Sequence, residues 1–289
     1  MGERDLWDVI VNNDDICFKH ILPRLNATDV KFLYEVNSET RKVIKRSSFA
    51  DDLKEKFKVS EMSSVSTLEV AWEHYPWGTL NYGVIHDEKW FCSEVAETNK
   101  LELLKWAREE KQCEWNHLTI DAAASLGNLE ILKYCVANEC PINEDACAFA
   151  ADRGHLECLK YLREEAKAPW EWCTAYRAAG NGHLHILEYL VERKYDGYDE
   201  RACGNAAMNG HLDCLKYLRE TAKAPWSSGA FAFENFQNDH PECVRYLLDN
   251  NCPLPPGWRY EDGTLRTSYN RIVNACSDTQ NLRAHTHSL

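Results

Sequence analysis

The sequence predicts an all-α protein built from stacked two-helix units, because one long segment recurs almost unchanged. GHLECLKYLREEAKAPW at 154–170 returns as GHLDCLKYLRETAKAPW at 210–226, and the two differences between them are polar. A looser copy begins at Gly182, midway between the two, so the period is near 28 residues. Periods of about 20 to 50 residues are typical of arrays in which neighbouring units share one core.

The second helix of each unit carries the clearest pattern. Apolar residues stand at offsets 0, 2, 3 and 6 from its first residue, which places them on one face of a helix. At offset 5 the units have Trp106 once and tyrosine in the copies that follow. We predict that this helix begins at the aligned positions Leu68, Leu101, Leu129, Leu156, Leu184, Leu212 and Pro241.

A shorter first helix precedes it, marked by paired alanines such as Ala150-Ala151, whose small side chains let neighbouring helices approach closely. A glycine that can take a positive φ is predicted to join the two helices. After the second helix, a proline stops the helix and a tryptophan covers the joint to the next unit. The joining glycines are Gly127, Gly154, Gly182 and Gly210, and the joint tryptophans are Trp115, Trp170 and Trp226, with Trp77 as a further candidate.

This order of helix, Gly-His turn, helix and loop resembles the ankyrin repeat over roughly residues 66–257. The resemblance rests on GHLECLKYL, whose Gly-His-Leu-Glu opens the second helix in that family. The Thr-Pro-Leu-His opening of the family's first helix is missing, and the period falls short of the family's usual length of about 33 residues. The resemblance implies an ankyrin-like helical solenoid whose protruding hairpins are reduced to short loops.

Residues 5–60 are predicted to form a separate helical F-box-like head and linker. Their apolar spacing resembles the core of an F-box, which in that family holds a Skp-type adaptor of a cullin-RING ubiquitin ligase. The alternative is a helical cap that closes one end of the array. The adaptor-binding residues that the resemblance implies are Ile21, Leu22, Leu25, Val30, Leu33 and Val36. At the other end, residues 258–289 are predicted to be a C-terminal cap, with a short helix over 269–276, and a frayed tail.

The overall charge restricts the class of partner. A net charge of −13 disfavours nucleic acids and anionic membrane surfaces, both of which need clustered Lys and Arg. No apolar run approaches the roughly 18 residues of a membrane span. The opening MGERDLWDVI is acidic where a signal peptide needs a basic segment and a long apolar core. We therefore predict a cytoplasmic or nuclear protein with no nucleic-acid or membrane partner.

The cysteines and histidines are predicted to be structural. Cys158, Cys214 and Cys243 stand at a repeat position where other units have Leu or Ile. This position therefore requires a small buried apolar group. His155 and His183 belong to a column too widely spaced to share one ion, since stacked helices lie about 8–10 Å apart. We expect these histidines to hydrogen-bond a neighbouring turn. Neither a nucleotide-binding loop nor a nucleophile motif is present, so we predict no cofactor, no metal and no enzyme.

A surface for protein partners is the remaining prediction, at positions where the units differ while the framework stays constant. By resemblance to ankyrin arrays, the columns that follow the paired alanines face the concave groove. Aromatic residues, Arg and Met are favoured at the centres of interfaces. The predicted partner-binding residues are Phe149, Asp152, Arg153, Tyr176, Arg177, Asn181, Asn205, Met208, Asn209 and Gln237. The alternative is neutral variation on a solvated surface.

These observations predict a non-catalytic protein–protein interaction module. If the head is a working F-box, the array holds the target of a cullin-RING ubiquitin ligase as its substrate adaptor. If the head is only a cap, the protein is a scaffold or sequestering protein. An enzyme is the third and least favoured class.

Overall fold

The computed structural model describes residues 58–81, 83–170, 172–231, 240–261, 264–266 and 272–273. These residues are mostly helical, with twelve α-helices and five short strands, in agreement with the predicted ankyrin-like helical solenoid. They fall into two compact units, one formed by 58–123 with 130–141 and the other by 124–129 with the residues from 142 onward. The predicted F-box-like segment, Ile21 to Val36, and Gln237 lie outside the described residues.

In the first unit, helix α1 (Val65–Glu73) is capped by the Ser64 hydroxyl, which accepts from the Thr67 N–H at 3.3 Å. Helix α4 (His117–Leu126) begins in this unit and ends in the second. The elements in chain order are a 3₁₀ turn Val59–Glu61, α1 (Val65–Glu73), β1 (Leu80–Asn81), β2 (Val84–Ile85), α2 (Glu88–Glu97), α3 (Leu101–Lys105) with a π-helical extension Trp106–Glu110, α4 (His117–Leu126) and α5 (Leu129–Ala137).

The second unit repeats the helix pair and ends in a small sheet. Its elements are α6 (Asp145–Asp152), α7 (Leu156–Glu164), α8 (Cys173–Gly180), α9 (Leu184–Glu192), α10 (Glu200–Met208), α11 (Leu212–Glu220), a 3₁₀ turn Ser228–Phe231, α12 (Pro241–Asp249), β3 (Arg259–Glu261), β4 (Thr264–Arg266) and β5 (Ile272–Val273). The first helices α6, α8 and α10 pack side by side in that order, and the second helices α9, α11 and α12 do the same.

The predicted interior columns are buried. In the second unit Leu159, Leu187 and Leu215 are fully inaccessible to solvent, and so is Leu132 in the first unit. Full burial of a leucine side chain contributes about 2 kcal/mol. The paired alanines of α6, α8 and α10 are buried as well. Because an alanine adds little bulk, the first helices can pack closely against one another.

The Gly-His turns couple each helix-pair repeat to the repeat before it. Gly154 has a φ of +74°, and a Cβ placed there would lie 2.7 Å from Nδ1 of His183, one unit further on. The His183 ring also donates from Nε2 to the Asp152 carbonyl at 3.0 Å. His155 makes the equivalent bond to the Ser125 carbonyl at 3.1 Å. The prediction that these histidines bond a neighbouring turn is confirmed, and the turn glycine must lack a side chain for the ring to fit.

A cluster of Arg, Trp, Tyr and Glu, which we call the joint cluster, connects successive second helices and confirms that Trp115, Trp170 and Trp226 cover the joints. Trp77 instead packs against Trp72, Tyr75 and Phe91. The Arg163 guanidinium lies 4.5 Å from the centre of the Trp170 ring and donates to the Ala168 carbonyl at 3.0 Å. Trp170 meets Tyr189 edge-on at 6.5 Å, and the Tyr189 hydroxyl donates to Glu164 at 3.0 Å. Two further copies are Arg219, Trp226, Tyr246 and Glu220 in the second unit, and Arg108, Trp115, Tyr134 and Glu109 in the first.

Three predictions about local structure need correction. The second helices begin at the predicted residues from Leu101 onward, but α1 begins at Val65, so Leu68 lies inside it. The predicted helix over 269–276 is wrong, because β5 pairs antiparallel with β4. Ile272 and Val273 are β-branched and suit a strand. One hairpin, β1 with β2, also remains where only short loops were expected.

The cysteines pack as predicted. All eleven cysteines in the described part of the chain are free thiols and buried. Burial raises the pKa of Cys158 and of Cys214 to about 11, which disfavours a reactive thiolate. Across the described ranges, no group of three or more His, Cys, Asp or Glu side chains is placed to hold a metal ion. None of the described helices has the length and apolar character needed to cross a membrane.

Candidate protein-interaction surface

The variable residues come together on one side of α6, α8 and α10, which we call the first-helix face. Residues three or four apart share a side of a helix, and Asn181, which directly follows α8, lies on the same side as Arg177 and donates to its carbonyl at 3.0 Å. Because the three helices pack side by side, these positions form one surface within the second unit. The face consists of Phe149, Asp152, Arg153, Trp172, Tyr176, Arg177, Asn181, Arg201, Asn205, Met208 and Asn209.

Asp152 is the centre of the first cluster on this face. Its carboxylate accepts a hydrogen bond from Nδ2 of Asn181 at 3.1 Å. It also lies 3.4 Å from Nε of Arg153 and 4.0 Å from Nη1 of Arg177. The Arg177 guanidinium covers the Phe149 ring at 5.2 Å, and its Nε is buried without a hydrogen-bond partner. The cluster therefore orders two arginines around one carboxylate.

Trp172 is the centre of the second cluster. Its ring stacks on Tyr176, with centroids 5.3 Å apart and planes inclined by 16°. The guanidinium of Arg201 lies 3.5 Å from the centre of the Trp172 ring. Asp199 holds that arginine through Nε at 2.7 Å and also caps α10 by accepting from the Arg201 N–H. Trp172 nonetheless remains 40% exposed, so the stack fixes the orientation of an accessible indole.

Two asparagines continue the surface along α10. Nδ2 of Asn205 donates to the Arg201 carbonyl at 2.9 Å, and Nδ2 of Asn209 donates to the Asn205 carbonyl at 3.2 Å. Gly180 of α8 faces them, since a Cβ there would lie 3.3 Å from the Asn205 Cβ. Both amide groups are thereby held in fixed orientations between two helices.

Exposed apolar groups are concentrated on the first helices. Among the described residues between 88 and 249, three large apolar side chains stand out as most exposed, Leu126 at 41%, Trp172 at 40% and Met208 at 46%. Leu126 ends α4, Trp172 precedes α8 and Met208 ends α10. The second helices expose no comparable group within these described ranges. Exposed apolar residues interleaved with ordered polar groups are typical of binding surfaces.

The structure places nine of the ten predicted partner-binding residues on this face, and the tenth, Gln237, is not described. Sequence reasoning missed Trp172, Asp199 and Arg201, which stand at the beginning of first helices, away from the paired alanines. One signal could have found Trp172. It falls outside the column of joint tryptophans, so the repeat framework gives no structural reason for an aromatic residue there.

Stacked helix pairs with one variable, exposed side define a repeat scaffold for binding. A family model described as ankyrin repeats (3 copies) matches residues 148–228, which spans α7 to α11 and most of α6. Three ankyrin repeats therefore lie where the sequence pattern is strongest, and ankyrin repeats indicate a protein–protein interaction module. A search of curated proteins found no match to this chain.

Proposed function

We propose that this protein is a non-catalytic binding module, cytoplasmic or nuclear, that holds a protein partner on the first-helix face. The observation that carries the proposal is the position of Trp172 and Met208, which are exposed apolar groups set among ordered arginines and asparagines. Side chains that are already ordered lose less conformational entropy when a partner binds. The face can therefore contribute affinity without rearranging.

The charged groups of this face support binding over catalysis. Asp152 and Asp199 are both engaged by arginines of the same face, so neither is an unpaired carboxylate available as a general base. Ankyrin repeats are generally non-catalytic, and the match at 148–228 includes most of this surface. These side chains therefore favour holding a partner in position, without making or breaking a covalent bond.

Site-specific photo-cross-linking tests the proposal. A photoreactive amino acid replaces Met208 in one form of the full chain and Lys216, which is exposed on α11, in a control form. Both forms are expressed in cells and irradiated. We expect protein adducts from position 208 and few or none from position 216. Equal adducts from both positions, or none from 208, would contradict a partner seated on the first-helix face.

We further propose that residues 21–36 hold a Skp-type adaptor, which would make the protein a substrate adaptor of a cullin-RING ubiquitin ligase. The support is the apolar spacing of the segment, which resembles an F-box. Purified full-length chain is mixed with a Skp-type adaptor, beside a Leu25→Asp, Leu33→Asp variant. Binding by the first and loss in the second is the expected result. Absence of binding by both favours a scaffold or sequestering protein.

A further inference from the structure

We infer that the segment bound on the first-helix face is acidic, an extended peptide stretch whose carboxylates meet Arg153, Arg177 and Arg201. This inference rests on the proposed function and adds the chemistry of the partner. The first-helix face presents more hydrogen-bond donors than its own acceptors engage.

The three arginines keep donors directed outward. The side chains of Arg153 and Arg201 are 63% and 52% exposed, although each contacts an aspartate. A guanidinium carries five N–H donors, and a single carboxylate engages about two of them in its best geometry. The Arg177 side chain is 29% exposed as well, although its Nε is buried. Donors therefore remain for a partner after the contacts within the face are made.

The aspartates of the face, by contrast, are already occupied. Asp152 contacts Arg153, Arg177 and Asn181, and Asp199 accepts from both the backbone N–H and the guanidinium of Arg201. A basic segment would have to displace these arginines to reach Asp152 or Asp199, whereas an acidic segment would not. The face is therefore complementary to negative charge in its present arrangement.

Other carboxylates border the face and limit how much negative charge a partner can carry. Glu144 and Asp145 stand at the beginning of α6, and Glu200 begins α10, where the helix dipole favours negative groups. Asp145 accepts from Nδ2 of Asn143 at 3.0 Å. With a chain charge of −13, a long polyanion such as a nucleic acid is repelled much more strongly than a segment with two or three carboxylates.

The apolar groups indicate what accompanies those carboxylates. The Arg201 guanidinium lies over the ring of Trp172, which is 40% exposed. Met208 lies about two turns further along α10 from that arginine. Arginine, tryptophan and methionine are enriched at the centres of interfaces. We therefore expect the bound segment to place an apolar side chain next to its acidic residues.

Selection from a phage-displayed library of random peptides of roughly 12 residues tests the inference on the full chain. Enriched peptides are synthesised with a fluorescent label and measured by anisotropy. The variant Arg177→Gln, Arg201→Gln is compared with Lys216→Gln, Arg245→Gln, which removes the same charge from second helices. We expect Asp and Glu to be enriched, and affinity to fall about 10-fold in the first variant and less than about 2-fold in the second. Raising the salt from about 50 to about 300 mM should also weaken binding.

Folding and alternative outcomes are separated by added variants. Circular dichroism checks that each variant is helical. The variant Arg177→Lys, Arg201→Lys keeps the charge but loses the planar stacking. Its affinity should therefore lie between that of the parent and that of the glutamine variant. Selected peptides that need Trp172 and Met208 but contain no excess of Asp or Glu would overturn the acidic partner and leave the proposed function standing. A library without any face-dependent peptide overturns the inference, and cross-linking at position 208 then decides the proposed function separately.

Discussion

The joint clusters and the first-helix face use the same residue types for different ends. In the joint cluster, Arg163 covers Trp170 and its Nη1 donates to a backbone carbonyl. On the face, Arg201 covers Trp172 and is held by an aspartate side chain. The two tryptophans stand two residues apart in the sequence, yet one is at a joint between units and the other is 40% exposed.

Recurrence is what separates the two regions. The set Arg, Trp, Tyr and Glu returns in three joints with nearly the same geometry, which packing between units explains. Among the described residues, the stack of Arg201, Trp172 and Tyr176 occurs once. The residue ten positions before the turn glycine is Trp172 ahead of α8, but it is Glu144 ahead of α6. A contact that packing needs should recur with the period, so an ordered but unrepeated cluster points to binding.

The largest expected effect is on the framework that both regions depend on. Gly154→Ala places a methyl group against the His183 ring at a φ of +74°. We expect the free energy of unfolding to fall by about 3 kcal/mol, from backbone strain plus overpacking. Urea titration followed by circular dichroism measures the change.

The double variant Gly154→Ala, His183→Ala serves as the control. Removing the ring should recover at least about 1 kcal/mol of the loss, as contacting residues do not act additively. If the losses of unfolding free energy in the two single variants add up in the double variant, the glycine is needed for its φ alone. The coupling between neighbouring repeats would then require another explanation.

The second prediction contrasts the two neighbouring tryptophans directly. Trp170→Ala removes a ring that packs against Arg163, Tyr189 and Tyr195, and should cost about 2 kcal/mol of unfolding free energy. Trp172→Ala should cost about 0.5 kcal/mol and abolish the cross-link from position 208. Equal destabilisation by both variants would assign Trp172 to the framework and weaken the distinction between joint and face.

The third prediction concerns the tyrosine hydroxyls of the joints. Tyr189→Phe and Tyr246→Phe each remove a hydrogen bond to a glutamate, Glu164 or Glu220, and should each cost about 1 kcal/mol. A much larger loss in one joint than in the other would show that the copies are not equivalent. Thermal unfolding by calorimetry suits this smaller difference.

The same hydroxyls make the protein sensitive to alkaline pH. Burial, together with the bond to glutamate, raises the pKa of Tyr189 and of Tyr246 to about 12. The unfolded chain loses these protons near pH 10, before the folded protein does. The contribution of these two hydroxyls to stability should therefore be constant below that pH and decline between about 10 and 12. Both phenylalanine variants should show a shallower decline than the parent.

Much of the array could be predicted from the sequence, because its determinants are local. Leu156 and Leu212 begin helices as predicted, since a Gly-His turn and an apolar stripe within nine residues specify the start. The pairing of Tyr189 with Glu164 could not be predicted, because the two residues are 25 positions apart and only packing brings them together. The Trp172 stack escaped prediction for a related reason, as Arg201 approaches it from the next unit.

The smallest expected effect tests a residue with positive φ in the loop that follows a second helix. Lys223 follows α11 with a φ of +55°, a conformation that costs a non-glycine residue about 1 kcal/mol. Lys223→Gly relieves that strain but adds freedom to the unfolded chain, so a net gain of about 0.5 kcal/mol is expected. Lys216→Gly, in the middle of α11, should instead lower the free energy of unfolding by about 1 kcal/mol. A gain in stability for Lys223→Gly together with a loss for Lys216→Gly would establish that backbone conformation limits the stability of this loop. A loss of stability in both variants would mean that the Lys223 side chain stabilises the loop more than its backbone conformation destabilises it.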